Sequence, residues 1–166
     1  MEKMYQPELW HEVYVVIGTG AAALAGLVIV AASVRADLIM SRPHLRMRAR
    51  NNTLSMVSIV GGSVLVLMPQ EATALGIELI AFNLAWASLP VSVIVYELRK
   101  PVGLALRLPV LAMSFYFLAA LGGVSLIARW GGGLYLTTAA YFGYLLVAVL
   151  NAYLLLLPRA QSKPQP

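Results

Sequence analysis

The sequence predicts an all-α membrane protein, a polytopic transmembrane helical bundle of about five spans. Of its 166 residues, 60% are hydrophobic and 11% are charged, which is about half the charged fraction of an ordinary soluble domain. Long runs of the chain also carry no charge. The run from Val13 to Val34 has 22 residues, and roughly 20 apolar residues cross a hydrocarbon core. Five such helices would leave no polar face for water, which excludes a soluble core.

Five apolar runs define the spans, and only the third contains a charged residue well inside it, Glu78. The predicted spans are 13–34, 53–69, 72–96, 109–128 and 134–157. Because the connections between them are short, residues 1–157 are predicted to form one transmembrane domain. The remaining residues, 158–166, are expected to form a disordered cytoplasmic tail.

The basic residues predict the orientation of the bundle. Ten of the twelve lysines and arginines lie in the loop after the first span, the loop after the third span and the tail. Only Lys3 and Arg129 fall on the other side. Because positive residues are retained on the cytoplasmic side of a membrane, this bias predicts an N-out, C-in protein with an odd number of spans.

Small residues follow one side of the first two spans. Helices in lipid associate through close backbone approach and polar contacts, so these residues are predicted to be packing surfaces. The predicted packing residues are Gly18, Ala22, Ala25, Ser55, Ser58 and Gly62. They indicate a tight bundle, a tight homo-oligomer, or both.

The fifth span carries a polar stripe along most of its length. At 100° per residue its members fall within about 80° of one another, and they are Thr137, Tyr141, Tyr144, Ala148 and Asn151. Polar groups facing lipid are costly, so the stripe should face protein or a wet cavity. It is either a hydrogen-bonded seam between helices or one wall of a solute path.

The third span contains three further residues of interest. Glu78 either reaches the headgroups or serves as a cation-binding or proton-titrating group. Asn83 is either an interhelical hydrogen-bond partner or a path residue. Pro90 is expected to kink the span and to free the carbonyl of Trp86 from its helical hydrogen bond.

The loop after the first span is rich in arginine. Arg42, Arg46 and Arg50 share one helical face, and Arg48 lies elsewhere around it. We expect these side chains to contact anionic lipid headgroups of the bilayer. The alternative is a docking site for an acidic soluble partner.

Several kinds of chemistry lack their residues. The chain has no cysteine, and its histidines are His11 and His44, near opposite faces. It therefore offers no thiolate metal site, no bis-histidine haem site within the spans and no histidine-and-carboxylate cluster with metal spacing. It also has no phosphate-binding glycine loop. We expect no enzyme activity, no cofactor and no metal, and we attribute the net charge of +5 to headgroup contact rather than nucleic acid.

The first span contains a distinctive run of small residues. It runs Val16-Ile17-Gly18-Thr19-Gly20-Ala21-Ala22-Ala23-Leu24-Ala25-Gly26-Leu27, and an arginine-rich loop ending Arg50-Asn51-Asn52 follows it. This first third of the chain resembles a broad group of small uncharacterised bacterial multispan membrane proteins. The resemblance implies a bacterial cytoplasmic membrane, and it implies no activity, substrate or site residue.

Two functions from different classes fit these patterns. The first is a homo-oligomeric channel or transporter for a small solute or ion, with the path along Glu78, Asn83, Thr137, Tyr141, Tyr144 and Asn151. The alternative is a non-catalytic accessory or regulatory subunit of a larger membrane complex, joined to it through the small-residue faces.

Overall fold

The computed structural model describes residues 5–34, 36–99 and 106–156, which form helices and short connections without a β-strand. A 3-10 helix at Pro7–Trp10 precedes seven α-helices within these ranges. They are α1 (His11–Val34), α2 (Ala36–Ser41), α3 (Pro43–Leu67), α4 (Ala72–Trp86), α5 (Ser88–Arg99), α6 (Arg107–Ala128) and α7 (Leu134–Leu156). The predicted all-α bundle is confirmed. The predicted tail, 158–166, lies outside the described residues.

Proline and glycine set several helix boundaries. α3 begins at Pro43, whose fixed φ suits the first helical turn. It ends at Leu67, because Met68 precedes a proline and is extended. α6 ends where Arg129 takes a left-handed backbone with φ of 51°. The three glycines at 131–133 then have positive φ values, a conformation that glycine adopts without strain.

The third predicted span is a helix with an interruption. α4 ends at Trp86 and α5 begins at Ser88, with Ala87 in a turn between them. Pro90 has no N–H to bond the carbonyl of Trp86, so the regular hydrogen-bond ladder fails here. The predicted interruption is confirmed, three residues before the proline itself.

Four helical segments within the described residues are long and apolar enough to cross a membrane, and the chain is a membrane-embedded protein. They are Pro7–Val34, Ala72–Arg99, Arg107–Ala128 and Leu134–Tyr153. The fifth long helix, α3, has 25 residues but begins with a basic stretch. Only its second half corresponds to the predicted span 53–69.

α3 nevertheless runs the length of the bundle. It packs against α1, α4, α5 and α7. Near one end, a Cβ atom on Gly18 would lie 3.1 Å from the Cβ of Ser63. Near the other end, Arg48 donates a hydrogen bond to Asn151 at 3.1 Å. Because protein surrounds α3 on several sides, its buried polar side chains, such as Asn51, Ser55 and Ser58, face other helices and avoid lipid.

Two glycines bring α4 and α6 into close backbone contact. A Cβ atom on Gly76 would lie 2.7 Å from the carbonyl oxygen of Gly123, and one on Gly123 would lie 2.6 Å from that of Gly76. These distances leave no room for a side chain. Neither glycine belongs to the predicted packing set, although small residues at such crossings are typical of membrane helices.

The bundle has two ends that differ in their basic residues. The arginine end holds the start of α3, the last turn of α5 with Arg99 and the start of α6 with Arg107. The opposite end holds the 3-10 helix and the turn between α6 and α7, including Arg129.

Candidate functional site: a polar cavity at the arginine end

The predicted outer contact of a solute path, Glu78, lies on the surface of the bundle. Its side chain is exposed and accepts a hydrogen bond from Nε2 of Gln70 at 3.1 Å. Gln70 belongs to the connection between α3 and α4, at the opposite end. Glu78 is therefore separated from the other predicted path residues, which are buried or half-buried inside the bundle.

A buried polar layer lies in the half of the bundle near the opposite end. It comprises Tyr14, Asn83, Thr137 and Tyr141, and we call it the tyrosine layer. Tyr14 is fully buried, and its hydroxyl accepts a hydrogen bond from Thr138 at 3.1 Å. The side chains of this layer come from α1, α4 and α7, so it crosses the bundle.

Further hydrogen bonds and close contacts seal the tyrosine layer. Nδ2 of Asn83 donates to the carbonyl of Leu79 at 2.8 Å and to the hydroxyl of Tyr141 at 3.4 Å. That hydroxyl sits directly against Gly62 of α3, where a Cβ atom would overlap it. In this half, the polar stripe of α7 forms a seam between helices.

A second set of hydroxyls lies deeper toward the arginine end. The hydroxyl of Tyr144 donates to Oγ of Ser55 at 2.7 Å, and the hydroxyls of Tyr116 and Ser58 are 2.8 Å apart. The two tyrosine rings pack edge to face at 4.7 Å. Ser55 and Ser58, predicted as packing residues, therefore also hydrogen-bond to aromatic neighbours, and α6 contributes Tyr116, which the sequence analysis did not single out.

Beyond Tyr144 the helices separate around a cavity of about 50 Å³. A single water needs about 10–15 Å³ of such space, so the cavity has room for several waters or a small solute. Four helices, α3, α5, α6 and α7, supply its walls. The lining residues are Arg48, Asn51, Asn52, Ser55, Pro90, Val93, Glu97, Leu106, Pro109, Ala112, Tyr144, Ala148 and Asn151.

Hydrogen bonds between helices hold two of the polar side chains that line the cavity. Arg48 of α3 donates to Oδ1 of Asn151 on α7 at 3.1 Å. Asn51 of α3 donates through Nδ2 to the carbonyl of Leu89 and to Oγ of Ser92, both at 2.9 Å. The two hydrogen bonds donated by Asn51 connect α3 to α5 just after the interruption at Ala87.

Asn52 is the side chain whose surroundings indicate a ligand. It is 7% exposed and lines the cavity, and its Nδ2 has no hydrogen-bond partner among the residues that the structure describes. A buried polar group without a partner costs about 1–3 kcal/mol. An acceptor inside the cavity would remove that cost.

A carboxyl group lies on another wall of the same cavity. Glu97 of α5 is 6% exposed. Buried acidic groups are rare in membrane helices and mark binding or transport sites when they face a cavity. The cavity therefore combines a guanidinium, a carboxyl and amide groups in a largely apolar surrounding.

Three residues of the cavity wall, Asn51, Asn52 and Glu97, were not predicted from the sequence as site residues. Glu97 lies one residue beyond the predicted third span, and the asparagines were placed at the end of the arginine-rich loop. A signal was present, because Arg48, Asn52 and Ser55 follow a helical spacing along one face of α3. Extending the helix backward through the basic stretch would have placed them inside the bundle.

The remaining predicted residues divide between inside and outside. Gly18 and Ala25 face neighbouring helices, whereas Ala22 is exposed on the surface of α1. Of the arginine cluster, Arg42, Arg46 and Arg50 are exposed, as lipid contact requires, and Arg48 is half-buried. The four arginines therefore do not form one surface.

The fold and the cavity define a membrane-embedded helical bundle with a polar cavity near the arginine end. Comparisons of the chain with models of protein families, with curated proteins and with solved structures find no match. No group of three or more histidine or carboxylate side chains able to hold a metal occurs within 5–34, 36–99 and 106–156.

Proposed function

We propose that this protein is a membrane carrier that binds a small polar solute in the cavity at the arginine end. The observation that supports this proposal is the cavity itself, together with Asn52 in its wall, whose buried Nδ2 has no hydrogen-bond partner among the described residues. Arg48, Asn52, Glu97 and Asn151 are the proposed binding residues. Of these, Asn151 and Arg48 were singled out in the sequence, the latter for lipid contact.

The closed tyrosine layer favours a carrier over an open channel. A carrier exposes its site to one side at a time, and the site here has a sealed layer on one side only. The interruption between α4 and α5 lies beside the cavity, since Pro90 lines its wall. Discontinuous helices near the binding site are common in carriers, where the ends of the half-helices contact the solute.

The orientation and the compartment belong to the same proposal. The exposed arginines of α3, together with Arg99 and Arg107, gather at one end of the bundle, whereas Arg129 lies at the other. The positive-inside rule then directs the arginine end to the cytoplasm. We propose a bacterial cytoplasmic membrane, with the cavity facing inward.

Single cysteines test the proposal, because the natural chain has none. Ala148→Cys places a thiol in the cavity wall, and Ala140→Cys places one in the dry core of the same helix; both alanines are almost fully buried. We expect a small, water-soluble thiol reagent to label the Ala148→Cys protein from the arginine end, and to leave the Ala140→Cys protein unreacted. Equal protection of both thiols in folded protein would overturn the wet cavity and the carrier with it.

A second function is favoured by the outer surface of α1. Ala22 and Gly26 are exposed there, and a Cβ atom on Gly26 would meet nothing within 4 Å. Small residues on a lipid-facing helix allow another helix to approach closely. This face fits an accessory subunit of a larger membrane complex, or a homo-oligomer. Site-specific cross-linking of the Ala22→Cys protein in native membranes, followed by identification of the partner, separates the two.

A further inference from the structure

The cavity at the arginine end carries groups of opposite charge on walls that face each other. α3 packs against both α5 and α7, and α6 also packs against both, so the four helices surround the cavity in the order α3, α5, α6, α7. α5 and α7 are therefore across from one another. The bond to Asn151 draws the guanidinium of Arg48 to the α7 side, whereas Glu97 projects from α5.

The charge of the lining limits the charge of the ligand. Among the described lining residues, Arg48 and Glu97 are the two of the Asp, Glu, Lys, Arg or His types. Burying a net charge in a membrane interior is costly. A ligand without net charge that carries both an anionic and a cationic group matches this lining, because each group meets its opposite and the site stays neutral.

The hydrogen-bonding groups place the two ends of such a ligand. Nδ2 of Asn52 is a donor seeking an acceptor, and it lies one turn along the same face of α3 from Arg48. Together they form a donor pair suited to a carboxylate. The carboxyl of Glu97, on α5, accepts from an ammonium. The small size of the cavity, about 50 Å³, restricts the ligand to a compact molecule.

We propose that the ligand is a small zwitterion with a carboxylate and an ammonium group, of the size of a short α-amino acid. The carboxylate binds Arg48 and Nδ2 of Asn52, and the ammonium binds Glu97. This assignment rests on the proposed function, since it names the class of solute for the same cavity. An ammonium-bearing phospholipid headgroup shares part of this chemistry, so the test separates the two sources.

The test uses three probes of matched size. L-Alanine has both charged groups, propionate lacks the ammonium and ethylamine lacks the carboxylate. Binding of radiolabelled L-alanine is measured on the full chain in phosphatidylcholine nanodiscs, with the other two as competitors. We expect each competitor to bind about tenfold or more weakly than L-alanine, because each forfeits one charged contact. Equal competition by propionate would overturn the zwitterion and indicate an anion site.

Substitutions in the cavity test which side chain binds the carboxylate of the ligand and which binds its ammonium group. Asn52→Leu should weaken L-alanine binding by about tenfold, while Ser63→Ala should not. Ser63 is the matched control, because its buried Oγ also has no hydrogen-bond partner among the described residues but does not line the cavity. Glu97→Gln should abolish the preference for L-alanine over propionate. A preference that survives Glu97→Gln in folded protein would overturn the assignment of the ammonium.

A readout in the Ala148→Cys protein keeps the proposal testable if Asn52→Leu fails to fold. L-Alanine should slow labelling of the introduced thiol, and propionate and ethylamine at equal concentration should not. Labelling that no probe slows would overturn the zwitterion and leave the carrier standing, whereas an unreactive thiol at this position would overturn both. Nanodiscs containing phosphatidylethanolamine complete the set: loss of L-alanine binding there would identify the headgroup, not a free solute, as the occupant.

Discussion

The two halves of the bundle contain similar polar residues, but the hydrogen bonds that neighbouring groups offer to these residues differ. In the tyrosine layer, Asn83 is fully buried and its amide nitrogen has two hydrogen-bond acceptors. In the arginine-end cavity, Asn52 is also buried, yet its amide nitrogen has no hydrogen-bond partner among the described residues. The comparison shows that polar content alone does not mark a site in a membrane protein. What marks it is an unsatisfied polar group in the wall of a cavity, because Oδ1 of Asn83 and Oγ of Ser63 are also buried without a hydrogen-bond partner among the described residues but do not line this cavity.

Glycine and proline account for the difference in packing. Gly62, Gly76 and Gly123 let helices approach closely, and each would clash with a neighbour if it carried a Cβ atom. Within the described part of the chain no glycine lines the cavity, whereas Pro90 and Pro109 do. Proline removes a backbone donor and fills space beside the helix axis. Close backbone approach at glycine therefore packs the half that contains the tyrosine layer. At the arginine end, the prolines in the cavity wall keep the helices further apart.

The largest effect should come from filling the packed half. Gly62→Ala places a methyl group onto the hydroxyl of Tyr141, and overpacking of this kind costs about 1–3 kcal/mol. Gly20→Ala is the control, because a Cβ atom there meets nothing within 4 Å and alanine is the better helix former. Unfolding in mixed micelles with increasing sodium dodecyl sulfate should rank Gly62→Ala below wild type and Gly20→Ala equal to it or above. The reverse ranking would mean that the tyrosine layer is loose.

The next largest loss of stability should distinguish the face of α1 that packs inside the bundle from the face that is exposed. Gly18→Leu forces a large side chain against Ser63, whose Cβ lies 3.1 Å from the position of a Cβ on Gly18, and should destabilise the monomer by about 1–3 kcal/mol. Ala22→Leu adds the same side chain on the exposed face and should leave monomer stability within about 0.5 kcal/mol. The two variants are compared by the same unfolding assay. Particle size is measured in parallel, because a change confined to Ala22→Leu would assign that face to assembly.

A smaller effect distinguishes the two tyrosines of α7. Tyr144→Phe removes a hydroxyl that donates to Ser55 at 2.7 Å. Tyr141→Phe removes one whose contact with Asn83 is 3.4 Å long. Interhelical hydrogen bonds in membranes are worth about 0.6 kcal/mol on average, so we expect roughly that loss for Tyr144→Phe and less for Tyr141→Phe. Thermal denaturation in detergent measures both, and equal losses would show that the longer contact is as strong as the shorter one.

The sequence predicted the fold well because the membrane imposes strict lengths. The apolar runs predicted α1, α6 and α7 to within a few residues of their ends. Pro90 indicated the break between α4 and α5. α3 was shortened, since its first turns are basic and hydropathy alone places them in a loop. An enclosed central helix does not need an apolar surface, so no hydropathy pattern reveals how far it extends.

The candidate site was predicted only in part, for a related reason. Tyr144 and Asn151 were found because α7 carries a regular polar stripe. Whether a stripe is sealed or wet depends on the facing residues of other helices, which sequence periodicity does not identify. Asn83 and Asn52 illustrate this, since both are amides in or next to apolar segments. Only the structure shows that the amide nitrogen of Asn83 meets Leu79 and Tyr141, while that of Asn52 has no hydrogen-bond partner among the described residues.

Glu78→Gln should have the smallest effect of these substitutions. It tests whether the solute site is confined to the cavity at the arginine end. Glu78 is exposed and bonded to Gln70 at the opposite end, so Glu78→Gln removes a charge that solvent and headgroups already screen. We expect unfolding free energy to change by no more than about 0.5 kcal/mol. Binding and flux of L-alanine in proteoliposomes should match wild type, whereas Glu97→Gln should alter both. Altered flux in Glu78→Gln with unchanged stability would contradict a site confined to the cavity. It would extend the solute path through the sealed layer to the opposite end, as a channel along Glu78 and the stripe of α7 requires.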